Sequence, residues 1–220
     1  IYNIAIDGPA GAGKSTIAKR VAKNLGFIYV DTGAMYRAMA VYFLDKGIDV
    51  NDEDAVSRDC DNVNIMIEYK DNLQQVILNG ENITSRLRTE EVGNTASAVA
   101  VYPAVRKKLV ELQKELAKKT SVVMDGRDIG SCVLKDAVCK IYLTASVECR
   151  ALRRMAELQE KGVDTSLEII KADISDRDYR DMHRDVSPLI QAEDAVYLDS
   201  SDMGIEEVTD KIISIFNEKA

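Results

Sequence analysis

The sequence predicts an α/β fold in which a mostly parallel central sheet has helices on both faces. Strand-like and helix-like stretches alternate along the chain, which is the order that produces a parallel sheet. Residues 2–7 are β-prone, a glycine-rich loop follows them, and Ile17, Val21 and Leu25 then recur every four positions, as in a core-facing helix. No repeat or low-complexity linker interrupts the 220 residues, so we expect residues 1–220 to form a single domain.

Capping residues place the next elements of the first half. Residues 27–31 are strand-like, and Thr32 can then N-cap a helix that extends to Gly47. Thr89 precedes two glutamates and opens another helix. Pro103 starts or kinks the following helix, whose apolar residues recur every three or four positions and so define one buried face.

Residues 62–82 have a different pattern. Two β-prone runs, 63–69 and 75–78, flank the polar residues 70–72. Polar residues between β-prone runs are typical of hairpin turns. We therefore expect a small antiparallel piece that lies outside the main sheet.

The second half of the chain repeats the alternation. Ser146 can cap a helix that Gly162 ends, and residues 165–168 (Thr-Ser-Leu-Glu) form a capping box for the helix after it. A last amphipathic helix covers 205–216. The apolar runs of strand length are 121–125, 139–143 and 195–198.

Composition and charge exclude several classes of protein. Apolar residues make up 46% of the chain and charged residues 30%, which is ordinary for a folded enzyme. The formal charge of −8 argues against a nucleic-acid surface, and no apolar run approaches the roughly 18 residues of a membrane span. We expect a cytoplasmic monomer that has no nucleic-acid or membrane partner.

The cysteines and the histidine do not indicate a zinc or redox site. The cysteines stand singly, which favours reduced side chains. Zinc sites usually combine several histidine and cysteine ligands, and the sequence has one histidine, His183. We expect His183 to lie on the surface. The four cysteines are Cys60, Cys132, Cys139 and Cys149.

The glycine-rich loop carries the first functional motif. Residues 8–15 fit the pattern G-x-x-x-x-G-K-[ST], and they stand between a strand and a helix, as phosphate binding requires. Glycines let backbone N–H groups converge on an anion at the helix N-terminus. We expect the loop to bind the phosphates of a nucleoside triphosphate; the alternative is a glycine turn without a ligand. The residues assigned to nucleotide binding are Gly8, Pro9, Ala10, Gly11, Ala12, Gly13, Lys14, Ser15 and Thr16.

A magnesium site is predicted beside this loop. In the motif, Lys14 supplies a point charge for the β- and γ-phosphates, and the Ser15 hydroxyl is a ligand of Mg²⁺. Asp125 closes the strand-like run 121–125, and a carboxylate at such a strand end can support the metal through a water molecule. We therefore assign Ser15 and Asp125 to Mg²⁺.

Arginines indicate what accepts the phosphoryl group. The guanine-reading sequence Asn-Lys-x-Asp, which a GTPase needs, is absent. The planar guanidinium group suits phosphate, so a set of arginines favours a second anionic substrate, although arginines on helices also form solvated faces. The candidates are Arg37, Arg127, Arg153, Arg154, Arg177, Arg180 and Arg184.

Six segments together indicate a family. They are 7–16 (DGPAGAGKST), 31–37 (DTGAMYR), 88–92 (RTEEV), 125–130 (DGRDIG), 154–162 (RMAELQEKG) and 177–181 (RDYRD). In this order, and over nearly the whole chain, they resemble the bacterial cytidylate kinases. The segments at 31–37 and 125–130 are more diagnostic than the phosphate loop. Ser15 stands where many members have glycine, and Thr32 where serine is also common.

The resemblance implies a three-layer P-loop kinase fold and a specific reaction. A nucleoside monophosphate kinase of this kind transfers the γ-phosphoryl group of ATP to CMP or dCMP. Residues 34–106 would form the monophosphate-binding side, and residues 62–82 would be its antiparallel piece. Residues 150–166 would form a helical lid that closes over ATP.

The resemblance also implies roles for individual residues. The residues expected to act in catalysis are Lys14, Arg37, Arg127 and Arg153. The residues expected to bind the acceptor are Thr32, Tyr36, Arg37, Ser97, Arg106, Arg127, Asp128, Arg177, Asp181 and Arg184. Among them Ser97, Arg106 and Asp128 would contact the cytosine base.

The chemistry of cytosine supports part of this assignment independently. Asp128 can accept a hydrogen bond from the exocyclic N4 amine, while Arg106 can donate to N3 and O2. Uracil has a carbonyl at the N4 position, so Asp128 would repel it. The alternatives are a P-loop kinase for another monophosphate such as UMP or for a polyol, and a non-catalytic binding module that ATP switches.

Overall fold

The computed structural model describes residues 1–70 and 73–220, and in it the chain divides into two units. Unit 1 contains residues 1–29 and 120–220, and unit 2 contains residues 30–119. One sheet has five strands and the other has three. The single domain over 1–220, the monophosphate-binding segment 34–106 and the lid 150–166 remain predictions.

Strands and helices alternate through most of the chain. The strands are β1 (Asn3–Asp7), β2 (Ile28–Asp31), β3 (Ile65–Lys70), β4 (Leu73–Leu78), β5 (Glu81–Asn82), β6 (Val122–Gly126), β7 (Cys139–Thr144) and β8 (Val196–Asp199). The α-helices are α1 (Lys14–Leu25), α2 (Thr32–Lys46), α3 (Glu53–Asp59), α4 (Glu90–Val99), α5 (Pro103–Lys119), α6 (Val147–Glu160), α7 (Leu167–His183) and α8 (Ile205–Lys219). Short 3₁₀ turns lie at Cys60–Asn62 and Thr84–Arg86, and a π-helical turn lies at Ile129–Val133.

The main sheet brings the functional segments of unit 1 to one edge. Its strand order is β2-β6-β1-β7-β8, and β1 pairs in parallel with both β6 and β7. In the register of β1 and β6, Ile6 lies opposite Asp125 and Asp7 lies opposite Gly126. The phosphate loop after β1 and the rest of the DGRDIG segment after β6, residues 127–130, therefore leave the sheet side by side. The predicted α/β fold with a mostly parallel sheet is confirmed.

The core of unit 1 lies between the sheet and two helices. Alternate residues of a strand point to the same face, and Ile4, Ile6 and Ile141 are buried there with Ile17 of α1 and Ile212 of α8. Residues on the opposite face, such as Ala5 and Met124, are also fully buried. Burial on both faces explains why the strands of this sheet are apolar runs rather than alternating ones.

Unit 2 contains the antiparallel sheet that the sequence predicts. β3 pairs with β4 from Ile65 opposite Leu78 to Lys70 opposite Leu73. The short strand β5, which the sequence analysis does not predict, adds to β4. The part of the predicted turn at residues 71–72 lies outside the described residues. Helix α2 packs against α4 and against β4.

Two predicted helix caps are wrong by one residue. Asp31, not Thr32, is the N-cap of α2, because its carboxylate accepts the N–H of Ala34 at 2.9 Å while Thr32 is already helical. Ser166, not Thr165, caps α7, because its hydroxyl accepts the N–H of Ile169. The predicted caps Thr89 and Ser146 are confirmed.

Other predictions concern the surface and the cysteines. Within residues 1–70 and 73–220, no helix has the length and apolar character needed to span a membrane. All four cysteines are free thiols, as predicted. Burial raises the pKa of Cys60 and of Cys139 to about 11. His183 is exposed, as predicted, and stacks on Tyr179.

Candidate active site

The phosphate loop can form only with glycine at its start. Gly8 has φ of 152°, and a Cβ built on it would lie 1.9 Å from the carbonyl oxygen of Leu143 in the neighbouring strand β7. Gly13, at φ of 83°, is the N-cap of α1 and has no side chain to occupy the helix end. The first N–H groups of α1 therefore face the loop, where they can bind an anion.

Lys14 is the buried charge of this loop. It is 6% exposed, and its Nζ donates a hydrogen bond to the carbonyl oxygen of Pro9 at 2.8 Å. Burial, with a further contribution from the positive charge of Arg127, lowers the pKa of Lys14 to about 7. A bound phosphate would supply the negative charge that this ammonium group lacks in its own loop.

Ser15 and Asp125, the two residues that the sequence analysis assigns to Mg²⁺, lie together. The Ser15 hydroxyl donates to Oδ2 of Asp125 at 2.9 Å, and the Tyr29 hydroxyl donates to Oδ1 at 2.9 Å. Both oxygens of this buried carboxylate are therefore oriented by neighbours. An oxygen-only pair of this kind has the donor chemistry that Mg²⁺ prefers.

Arg150 on α6 supports the loop from outside. Its side chain is 5% exposed, and its guanidinium donates to the carbonyl oxygens of Ala10 at 3.0 Å and Ala145 at 2.9 Å. The same group forms two hydrogen bonds to the carboxylate of Asp178 on α7, at 3.1 and 2.6 Å. The sequence analysis does not single out Arg150 or Asp178, since their partners lie 28 and 140 positions apart.

The arginines after β6 and α7 share a network of carboxylates. Nε of Arg127 donates to Oδ2 of Asp181 at 2.7 Å. Arg184 lies 3.8 Å from Oδ1 of Asp128 and 3.9 Å from Oδ1 of Asp181, and its Nε donates to the carbonyl oxygen of Ser187 at 2.7 Å. Four residues assigned to the acceptor are thus close together in unit 1.

Asp7, at the end of β1, holds the segment that contains these residues. Its Oδ1 accepts the N–H of Ile129 at 2.8 Å and its Oδ2 accepts the N–H of Gly130 at 2.7 Å. Burial raises the pKa of Asp7 to about 6, although these two amides oppose the shift. In the sequence, the one feature that points to Asp7 is its place directly before the loop. In the structure Asp7 lies opposite Gly126 of β6.

Three further arginines lie on the helical segment after β7. Arg153 donates to the carbonyl oxygen of Ser200 at 2.8 Å, and Arg154 forms an exposed ion pair with Glu157 at 2.9 Å. Arg177 lies exposed on α7. None of these contacts is with the phosphate loop, so the assignment of Arg153 to catalysis stays a prediction.

Two of the candidate residues in unit 2, Arg106 and Tyr36, are in contact with each other. The guanidinium carbon of Arg106 lies 5.6 Å from the centre of the Tyr36 ring, and its NH1 donates to the carbonyl oxygen of Ala100 at 3.1 Å. Arg106 is 4% exposed on α5. Thr32 is buried at the start of α2, Arg37 is half-buried in its second turn, and Ser97 is exposed on α4.

Comparisons with known proteins agree with these segments. The family model for cytidylate kinase matches residues 4–218. A cytidylate kinase from Lactobacillus johnsonii is 48% identical over 219 residues, which are 100% of this chain and 95% of that protein. One from Oceanobacillus iheyensis is 50% identical over 211 residues, 96% of this chain and 92% of that protein.

A solved structure supports the fold. An uncharacterized protein from Eubacterium ventriosum aligns with a TM-score of 0.53 over 99% of both chains. The two sequences are 14% identical, so this likeness bears on the architecture and not on the chemistry.

Proposed function

Because the chain belongs to the cytidylate kinase family, we propose that it transfers the γ-phosphoryl group of ATP to CMP or dCMP, giving ADP and CDP or dCDP. The observation that carries the proposal is the adjacency of two segments in unit 1. The phosphate loop follows β1, and Arg127 and Asp128 follow the neighbouring strand β6. One segment suits a triphosphate, and the other suits the phosphate and base of a cytidine nucleotide.

The donor side of the reaction belongs to the loop. Its backbone N–H groups and the N-terminus of α1 hold the triphosphate, and Lys14 neutralises charge on the β- and γ-phosphates. Ser15 and Asp125 would hold Mg²⁺, and their hydrogen-bonded oxygens fit such an ion. The ion would supply charge neutralisation on the phosphates.

Arginines stabilise the transferring group. Phosphoryl transfer has a loose transition state, and it needs positioning and positive charge more than a strong base. Arg127 is already oriented by Asp181 and lies close enough to Lys14 to affect its pKa. We assign Arg37 and Arg153 to the same charge stabilisation, with Arg153 on the lid at 150–166.

The acceptor is selected by its base. Asp128 accepts from the N4 amine of cytosine, Arg106 donates to N3 and O2, and Ser97 completes the base contacts. Uracil meets Asp128 with a carbonyl oxygen, which is an unfavourable contact. The ribose and acceptor phosphate are bound by Thr32, Tyr36, Arg37, Arg127, Arg177, Asp181 and Arg184.

The setting of this activity is proposed as well. A protein of charge −8 with free thiols suits the cytoplasm, and its proposed substrates are small nucleotides: ATP with CMP or dCMP. We assign it no nucleic-acid or membrane partner and a monomeric state, which size-exclusion chromatography with light scattering tests.

A coupled assay of ADP formation tests the proposed function. CMP, dCMP, UMP and AMP are each offered with ATP and Mg²⁺. The proposal predicts that kcat/KM for CMP and dCMP exceeds that for UMP and AMP by at least about tenfold, which one matched hydrogen-bonded base edge supplies. A higher value for UMP than for CMP would contradict it, and slow turnover with every acceptor would favour a binding module.

A further inference from the structure

Asp7 connects the strand that precedes the phosphate loop to the segment that carries Arg127 and Asp128. It is the last residue of β1 and is 5% exposed. Each of its two carboxylate oxygens accepts one backbone N–H, from Ile129 at 2.8 Å and from Gly130 at 2.7 Å. Hydrogen bonds of this length to an ionised acceptor are among the stronger ones in proteins.

The segment needs such a partner because of its backbone conformation. The chain leaves the sheet after Gly126, the last residue of β6, and enters the π-helical turn Ile129–Val133 through Asp128, which has φ of −142° and ψ of 25°. The first N–H groups of any helix have no acceptor within the helix itself. Ile129 and Gly130 are both buried, so without the carboxylate their N–H groups would lack a hydrogen-bond acceptor and would destabilise the folded turn.

The fit between Asp7 and the turn is close. A Cβ built on Gly130 would lie 3.3 Å from Oδ2 of Asp7 and 3.3 Å from Cδ of Lys140. These distances are shorter than ordinary van der Waals contact, so a larger residue at this position would require the turn, the carboxylate or the Lys140 side chain to shift slightly. The turn therefore has little freedom while Asp7 is in place.

We infer that Asp7 is a positioning residue that sets the orientation of Arg127 and Asp128 and thereby the selection of the acceptor base. The inference rests on the proposed function, and the Asp7 carboxylate bonds to the turn rather than to Arg127 or Asp128 directly. Asp128 directly precedes the first of the two amides that Asp7 holds. If one amide loses its acceptor, opening the turn toward water becomes favourable, and the Asp128 carboxylate turns with it.

The test compares the wild type with Asp7→Asn and Gly130→Ala. Asparagine keeps one acceptor but turns an amide donor toward the second N–H, while Gly130→Ala disturbs the same contact and keeps the charge of Asp7. For each protein, KM and kcat are measured for CMP and for UMP at saturating ATP. Hydrogen exchange of the Ile129 and Gly130 amides is measured on the free proteins.

In Asp7→Asn one buried hydrogen bond is lost, so we expect these amides to exchange at least about tenfold faster than in the wild type. For the same reason the CMP-over-UMP ratio of kcat/KM should fall by about tenfold. Most of the change should lie in the KM for CMP. Gly130→Ala should show a smaller change in the same direction, with its Kd for ATP within about twofold of wild type, since the loop and its charges are unaltered.

Ile212→Val serves as the matched control. Ile212 is fully buried in the core of the same unit, so this variant lowers stability without touching the turn. It should keep the wild-type ratio of CMP to UMP.

Two results would overturn the inference while the proposed function stands. One is a wild-type ratio of CMP to UMP in both variants, and the other is unchanged exchange at Ile129 and Gly130 in Asp7→Asn. A wild-type protein that does not phosphorylate CMP would instead overturn the proposed function, and this inference with it. If Asp7→Asn does not fold, Gly130→Ala decides the question by the same two measurements, the CMP-over-UMP ratio and the amide exchange.

Discussion

Lys14 carries its charge where little water reaches it, and burial lowers its pKa to about 7. The buried ammonium costs the free protein stability, because an unfolded chain would solvate it fully. The position is therefore explained by the phosphates that we propose it binds rather than by packing. The same reasoning separates Lys14 from the exposed lysines of α1, such as Lys23.

The variant Lys14→Met tests that role. Methionine keeps the length of the side chain and removes the charge, so we expect kcat with CMP to fall by about 10² to 10³. The free energy of unfolding in urea should not decrease. The control Lys23→Met should keep wild-type activity; activity above about a tenth of wild type in Lys14→Met would contradict the assignment.

Asp7 makes stability depend on pH in a defined direction. Its pKa is about 6 in the folded protein and 3.8 as the ordinary value, so the folded state holds the proton more tightly. The stability that Asp7 contributes is fully present below about pH 4 and is lost as pH rises through about 6. The cause is burial of the carboxylate, which favours its neutral form.

Unfolding in urea at several pH values measures this effect. Relative to Asp7→Asn, which does not titrate, the wild type should lose about 3 kcal/mol of its free energy of unfolding between about pH 3 and pH 7, since a tenfold shift in a proton equilibrium is about 1.4 kcal/mol. A difference between the two proteins that stays constant over this range would contradict the raised pKa.

In the proposed function, acceptor selectivity depends most on Asp128. It is 6% exposed, and Arg184 lies 3.8 Å from its carboxylate, so its orientation is restrained before any nucleotide binds. Asp128→Ala should raise the KM for CMP and lower the CMP-over-UMP ratio of kcat/KM by about tenfold or more. Asp136→Ala, at an exposed position in the loop after the turn, should leave the ratio unchanged. An unchanged ratio in Asp128→Ala would remove this residue from the base pocket.

At the scale of elements, local signals predict helices and strands well and their contacts poorly. Apolar runs in the sequence predict both the strand before the phosphate loop and the strand that contains Asp125. The π-helical turn Ile129–Val133 does not, because the carboxylate that supports it lies more than 120 positions away in the sequence. The N-cap of α2 is missed for another reason: Asp31 and Thr32 can both cap, and only the backbone conformation decides between them.

The contact between helix α6 and the phosphate loop depends on one guanidinium group. In Arg150→Met the carbonyl oxygen of Ala10 loses its donor and the carboxylate of Asp178 loses its partner. We expect the free energy of unfolding to fall by about 3 kcal/mol, as for other buried ion pairs that lose one member. The KM for ATP should rise by about tenfold, because a loosened loop binds phosphate less well.

The control for this variant is Arg20→Met on α1. Arg20 forms an exposed ion pair with Glu206 at 3.6 Å, and such a pair contributes less than about 1 kcal/mol. Equal losses of stability in the two variants, or an unchanged KM for ATP in Arg150→Met, would contradict the proposed support of the loop.

At the scale of the whole molecule, the sequence predicts the fold class and the family. It does not identify the residues that hold the site in place. The parallel sheet follows from alternation of elements, and the family follows from six segments in order. Arg150, Asp178 and the two hydrogen bonds of Asp7 emerge only from the folded chain, because each joins positions that are distant in sequence. Single-sequence patterns contain no information about such pairs.

The most direct test of the central claim is to follow the phosphoryl group itself. The protein is incubated with ATP labelled in its γ-phosphoryl group, with Mg²⁺ and with equal concentrations of CMP and UMP, and the labelled products are separated. The account predicts that the label appears chiefly in CDP, and at least about tenfold more than in UDP. Label that appears chiefly in UDP, or in inorganic phosphate, would contradict it.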